Sequence, residues 1–484
     1  MAPSKRLTTV SALALATLFS TPVFGPAWAQ VQVQSLAPPD LFSSPASDTG
    51  LPADLWKDTA PGIAREVLPK VATKPLSPAS AALAHRVLAT GAPGPAEVGS
   101  EPEMGAARAM ALIALGDAAG AGAVLDRAPG VAGNSALSMA AAEAALITGA
   151  DAKACGIGEA LGVDRSNPYW LRLRAFCQAL AGQTDAAQLT LGLAVQQTKD
   201  ADYARLMNAL LAGTPAGAAN LRNGINYALS RKLGLDLQAA AATASPALKV
   251  VLKAPGDVVA LAGADLTAAQ TSDVAFLRQA KGLLAFIDAS KASIASIAVL
   301  ARADAPLEDP VLFAKAALAA GDLVTAQAIR GKLTQDDIPN ATAADLALLD
   351  AALSAATGKP DAQILDGLVE RGASGGPKSP AQPAALILAA LGGTMGPEAR
   401  AQFATFDPGK SAASAARLTV LDQAAAAHRQ GETALLALSV SADAGAGGPG
   451  PVDRARLVHA LAQAGLDTDA RALAVEGLLA LQVK

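Results

Sequence analysis

The chain has 484 residues, a formal net charge of −4, 52% hydrophobic residues and only 3% aromatics. That length exceeds what one compact core normally holds, so several domains or an elongated repeat array are expected, and a composition dominated by Ala and Leu favours helices over strands. The mild acidity excludes the basic footprint of a nucleic-acid binder, and no run of like charge marks a membrane-surface patch.

The N-terminus reads as a signal peptide. Lys5 and Arg6 form the positive region, Val10 to Phe19 the apolar core, and Ala27-Trp28-Ala29 a small-x-small cleavage site before Gln30. Ten apolar residues are too few to span a hydrocarbon layer about 30 Å thick, so residues 1–29 are expected to be removed, not retained as an anchor. Gln30 stands where a lipoprotein would carry Cys. An exported, periplasmic product is expected, with no stable membrane insertion after cleavage, because Gly, Pro or charged residues interrupt each later hydrophobic segment. Residues 30–53, rich in Pro, Ser, Asp, Gly and Gln, read as a disordered or extended lead-in.

The first helical pair is expected from Leu55 to about Lys70 and from Ser77 to Thr90, with Ser77 as the cap of the second helix. Beyond it a short pattern recurs: an Ala/Leu-rich helix end, a Gly, a polar residue, and an Ala five positions after the Gly. It appears at Gly116 with Ala121, Gly182 with Ala187, Gly321 with Ala326 and Gly465 with Ala470, and more weakly at Gln430-Gly431-Glu432. The Gly would end one helix in a left-handed cap, and the Ala would let the next helix pack closely. At these residues the chain resembles the tetratricopeptide repeat family, whose junction between paired helices carries a Gly-Asp-x-x-x-Ala arrangement. The glycines lie 66, 139 and 144 residues apart, near two, four and four units of a repeat of about 34 residues. The resemblance implies an all-α, right-handed solenoid of antiparallel helical hairpins. A helical-repeat array is expected over 54–371 and C-terminal hairpins over 383–484, with a flexible loop at 372–382; Gly213 to Ala305 is helical by composition alone.

Pro168-Tyr169-Trp170-Leu171 through Phe176-Cys177-Gln178 to Gly182 is similar to a stretch of uncharacterised Ala-rich secreted bacterial proteins, some labelled antifreeze glycopeptide proteins. The label does not carry over, because Gln238 to Ser245 offers one Ala run with a single Thr243 instead of tandem Ala-Ala-Thr units. Loops richest in Gly and Pro fall at Gly372 to Gln382 and Ser441 to Pro451, with a shorter one at Thr214 to Gly217.

No stretch spells a catalytic constellation. Ala404 to Ser411 loosely fits a phosphate-binding loop, but its first glycine is Ala404 and helix, not strand, is expected before it. Gly445 to Gly450 spells a dinucleotide glycine pattern without the strand or acidic ribose partner that pattern needs. His85, His428 and His459 are far apart and form no ligand pair, so no metal or cofactor is expected. Soluble lytic transglycosylases also carry long Ala-rich helical domains, but their Glu-Ser and Gly-Leu-Met-Gln strings do not occur here.

Cys155 and Cys177 are the only cysteines. An oxidising compartment makes pairing the default, and counting back from the turn at Gly162 to Asn167 puts both at similar heights on adjacent antiparallel helices. Trp56, Tyr169 and Trp170 could anchor a partner, or fill gaps between helices that Ala cannot. The expected function is a non-catalytic periplasmic scaffold or adaptor for a protein or peptide, not an enzyme. An accessory factor for peptidoglycan enzymes is the first alternative. A small-molecule or lipid carrier is the second, and it would need an apolar interior wider than Ala and Leu packing requires.

Overall fold

Every regular element of the computed structural model is helical among the residues it describes, which are 40–252, 266–303, 306–333, 340–376 and 378–483. The expected signal sequence, with its expected Ala29-Gln30 cleavage site, lies outside them. The chain opens with α1 (Pro61–Thr73) and α2 (Pro78–Ala89), then α3 (Pro102–Ala114), α4 (Ala118–Asp126), α5 (Ser135–Ile147) and α6 (Asp151–Ala160). It continues through α7 (Pro168–Leu180), α8 (Thr184–Gln197), α9 (Ala201–Ala212), α10 (Gly224–Lys232) and α11 (Pro246–Leu252). After α12 (Leu266–Gln279) and α13 (Gly282–Arg302) come α14 (Pro310–Ala320), α15 (Leu323–Gly331), α16 (Ala343–Thr357), α17 (Ala362–Gly375) and α18 (Ala381–Ala390). The last are α19 (Pro397–Phe403), α20 (Ala415–Ala426), α21 (Gln430–Ala444), α22 (Pro451–Gln463) and α23 (Asp467–Ala480). Pro stands in the first turn of α1, α2, α3, α7, α14, α19 and α22, where its missing N–H costs no helical bond.

The four strong glycine junctions behave as their sequence dictates. Gly116, Gly182, Gly321 and Gly465 all have left-handed φ, between 73° and 93°. In each the following N–H reaches back to the carbonyl five residues earlier, as from Asp117 to Leu112 at 2.9 Å and from Asp322 to Ala317 at 2.8 Å, which closes the helix end. Ala121, Ala187, Ala326 and Ala470 are all fully buried. Gly149, with φ 84° and Ala154 fully buried five residues on, is a further junction of this kind. Left-handed residues thus sit 33 residues apart at 116, 149 and 182, and between 34 and 37 apart at 321, 358, 392, 428 and 465. Each one ends a helix and turns the chain into the next, after α3, α5 and α7 in the first set and after α14, α16, α18, α20 and α22 in the second.

The weak junction at Gly431 is displaced. His428 takes the left-handed conformation, with φ 53°, and the N–H of Arg429 closes the end of α20 on Ala424 at 3.0 Å. Gly431 lies inside α21 for a different reason. A Cβ there would come within 2.6 Å of the Leu55 carbonyl oxygen and 2.8 Å of Trp56, and its N–H donates to that carbonyl at 3.1 Å.

Residues 40–53 are non-helical, as expected, but they are not disordered. Phe42 is fully buried, and backbone bonds run from Leu41 N–H to Gly99 at 2.7 Å and from Ala46 N–H to Ala89 at 2.8 Å. The first helix of the pair begins later than expected, at Pro61 instead of Leu55, because residues 52–59 form turns that seat Leu55 and Trp56 in the core. Ser77 occupies the cap position of α2, but its hydroxyl bonds to Ser80 at 3.1 Å instead of to the helix end. The missing cap comes from afar: Glu476 on α23 accepts the Ala79 N–H at 2.6 Å, and Glu432 on α21 does the same for Ala60 at the start of α1, at 2.7 Å. Carboxylates placed at the positive end of a helix stabilise it.

These carboxylates belong to a wider closure. α1 packs on α3 and α21, α2 on α21 and α23, α16 on α23, and α18 on α22. The described residues fall in one compact unit, Pro39–Lys484, and α17 packs on α18 across the boundary expected near residue 372. The helix-free stretches of the expected loops are short, since α17 runs to Gly375 and α18 starts at Ala381, while α21 runs to Ala444 and α22 starts at Pro451. One buried cluster extends from Leu41 to Leu479, and a second is confined to α5 through α10.

α13 also departs from the sequence reading. With 21 residues and a mean hydropathy of 1.7 over an 18-residue window, it is long and apolar enough to cross a membrane by those measures, despite Asp288 and Lys291. Its Phe286, Ile287, Ser290, Ser293, Ile297 and Leu300 repeat at helical spacing and are buried, and it packs on α12, α14, α15 and α23.

Candidate binding surfaces

The second cluster contains both cysteines. Cys155 on α6 and Cys177 on α7 are joined, with Cα atoms 5.6 Å apart and 22 residues between them in sequence. α6 buries only Ala154 fully, so little apolar packing holds it against α7. A Cys155→Ser/Cys177→Ser variant is therefore expected to lose about 2 to 4 kcal/mol of stability in guanidinium unfolding, through the freer unfolded chain. Amide exchange in α6 should rise first.

The three aromatic residues considered as partner anchors are placed differently from one another. Trp56 is 3% exposed and meets Phe42 edge-on at 6.0 Å. Trp170 is also 3% exposed, and its indole N–H donates to the Ser135 hydroxyl at 2.9 Å. Both rings are core. Tyr169 is half-buried, stands edge-on to Trp170, and turns its hydroxyl inward.

Beneath it lies Glu143, whose Oε2 accepts the Gly224 N–H at the start of α10 at 2.8 Å. The Tyr169 hydroxyl faces this carboxyl, and neither that hydroxyl nor Oε1 has any other hydrogen-bond partner among the described residues. Burial pushes Glu143 above the usual carboxylate range, and burial together with the Glu143 charge raises Tyr169. A carboxyl raised in the folded state binds protons there that the unfolded state has released, so stability falls as pH rises above the ordinary glutamate value. Glu143→Gln keeps the acceptor for Gly224 without the charge. It should be more stable than the parent near neutral pH, by about 1 kcal/mol, with the difference fading below about pH 4; paired thermal melts across that range check it.

Two surfaces were not found from sequence. The first is the outer face of α8, which packs on α7 and α9. Ala187, Thr190, Leu191 and Ala194 face inward, whereas Leu189, Leu193 and Val195 are 73%, 47% and 37% exposed. A helix with apolar residues on both faces signals contact on both, and that signal was present in Thr184 to Gln197.

The second is a cleft of 470 Å³ where α2, α13, α16 and α23 meet the α14–α15 junction. Its walls are mainly aliphatic, with Ala79 and Ala82, Ile287, Leu318 to Gly321 and Leu323, and Val475 and Leu479. The polar groups at its edge are Lys291, Thr468, Arg471 and Glu476. Glu476 is already committed, its Oε1 to Arg454 at 2.7 Å and its Oε2 to Ala79. Arg471 donates to the Asp467 carbonyl and the Thr468 hydroxyl, and neither it nor Lys291 pairs with a carboxylate among the described residues.

The formal phosphate-loop match at Asp407-Pro408-Gly409 lies in the turn from α19 to α20, and the glycine run at Gly445 to Gly450 in the turn from α21 to α22. Each follows a helix. His85 bonds through Nε2 to Asp117 at 2.9 Å, which holds that carboxyl below the usual range. Among the described residues no three His, Cys, Asp or Glu side chains group as metal ligands. Comparison with protein-family models, curated proteins and solved structures finds no match for this chain.

Proposed function

We propose that this protein is a non-catalytic adaptor of the bacterial envelope, exported by residues 1–29, whose tetratricopeptide-like hairpins form a right-handed solenoid that docks another protein. The observation that carries the reading is the outer face of α8. Leu189 and Leu193 project there on successive turns beside Gly192, which adds no side chain to keep a second helix away. Exposed leucines in i, i+4 register fit the apolar face of a partner helix.

A photo-crosslinking residue at position 189, introduced in intact cells, should capture one discrete protein. Leu193→Lys in the same chain should abolish that capture while leaving the circular dichroism and melting unchanged. Absence of any captured protein, or capture only of a second copy of this chain, sinks the adaptor reading.

A further inference from the structure

The cleft between α2, α13, α16 and α23 offers a different kind of binding from the α8 face, and does not depend on it. Its interior is aliphatic and presents few groups able to orient a sugar or a nucleotide by hydrogen bonds. The one acidic side chain at its edge, Glu476, has both oxygens engaged within the protein. The charge left for an incoming molecule is positive, from Lys291 on α13 and Arg471 on α23.

We infer that this cleft binds an amphipathic anion: a single aliphatic chain lies along the trough formed by Ala79, Ile287, Leu318 and Val475, and its anionic head meets Lys291 and Arg471. Burial of the chain supplies affinity in proportion to the apolar area removed from water. The two cations fix orientation and reject a positive head group. A volume of 470 Å³ is within the span of small-molecule sites, about 300 to 1,000 Å³, and suits one chain rather than a whole phospholipid.

The test titrates the purified mature chain, by calorimetry below the micellar range, with dodecanoate, dodecyl phosphate, dodecanol and dodecyltrimethylammonium. Both anions should bind at one per chain, and the alcohol and the cation about tenfold more weakly. Tighter dodecanoate identifies a free carboxylate as the natural head; tighter dodecyl phosphate identifies a lipid phosphate. Lys291→Glu with Arg471→Glu should reverse the preference between anion and cation. Ala319→Phe, which fills the trough, should abolish binding of all four. Equal binding of the alcohol or the cation, or binding that survives Ala319→Phe, overturns the inference. Because the charge reversals lie at the rim of the cleft, they keep the test decisive if the filled variant fails to fold. Intact crosslinking at position 189 in these variants separates this site from the adaptor reading.

Discussion

Arg108→Met is expected to lower stability by about 4 kcal/mol and to expose residues 40–53 to proteolysis. Arg108 is fully buried, yet no carboxylate among the described residues forms an ion pair with it, and Asp40 acts on it only through its field. Its guanidinium instead donates to four carbonyls: Leu88 at 2.8 Å, Leu41 at 2.9 Å, Ser44 at 2.9 Å and Thr90 at 3.1 Å. It also lies 5.3 Å over the Phe42 ring. Burial brings the side chain down to about 10, so it stays positive at neutral pH. Two of the acceptors belong to the lead-in and two to the end of α2, so one side chain clamps a non-helical strap to the first hairpin.

Met would replace much of the volume but none of the donors. Three buried carbonyls and the part-buried one of Ser44 would lose partners, each buried one at about 1 to 3 kcal/mol before water or rearrangement recovers part of the loss. Arg108→Lys should fall between Met and the parent, because a point charge with three donors cannot match a planar fork serving four acceptors. Guanidinium unfolding and timed digestion near residue 50 measure the two effects. A loss under about 1 kcal/mol with the strap still protected would show that Phe42 and Leu41, not the clamp, hold the lead-in.

What could be read from the sequence was local. A left-handed glycine followed five residues later by a buried Ala is written within six positions, and all four strong junctions obey it. Asp117 and Asp322, directly after their glycines, cap α4 and α15 from their own side chains. Contacts across hundreds of residues leave no such trace. The carboxylates that cap α1 and α2 are 372 and 397 residues distant from the N–H groups they accept. Gly431 imitated a helix end because a glycine needed for close backbone approach has the same letter as one needed for a left-handed turn. The lead-in looked disordered because its few apolar residues, Leu41 and Phe42 among them, follow no period, although both are buried. Of the binding surfaces, the α8 leucines were legible as a second apolar face. The cleft was not, since it draws its walls from five separated parts of the chain.

Glu476→Ala should destabilise the protein by about 3 to 5 kcal/mol, because it removes one partner of a buried pair and leaves the other charge in place. Arg454 and Glu476 have side chains 3% and 4% exposed. Arg454 has little room to turn toward water, since a Cβ on Gly477 would lie 2.2 Å from its Cδ and one on Gly448 2.6 Å from its Nη2. The same substitution uncaps α2 at Ala79, so the first hairpin loosens from the last as the charge is stranded. Glu476→Gln retains an acceptor for Ala79 and should cost less. The decisive comparison is Glu476→Ala with Arg454→Met, in which both charges are gone. If the stranded cation is the main cost, this double variant recovers most of the loss, since replacing both members of a buried pair by apolar groups is often close to neutral. If it is as unstable as Glu476→Ala alone, the cost lies in the lost cap of α2, and the ion pair between α22 and α23 contributes little to the closure.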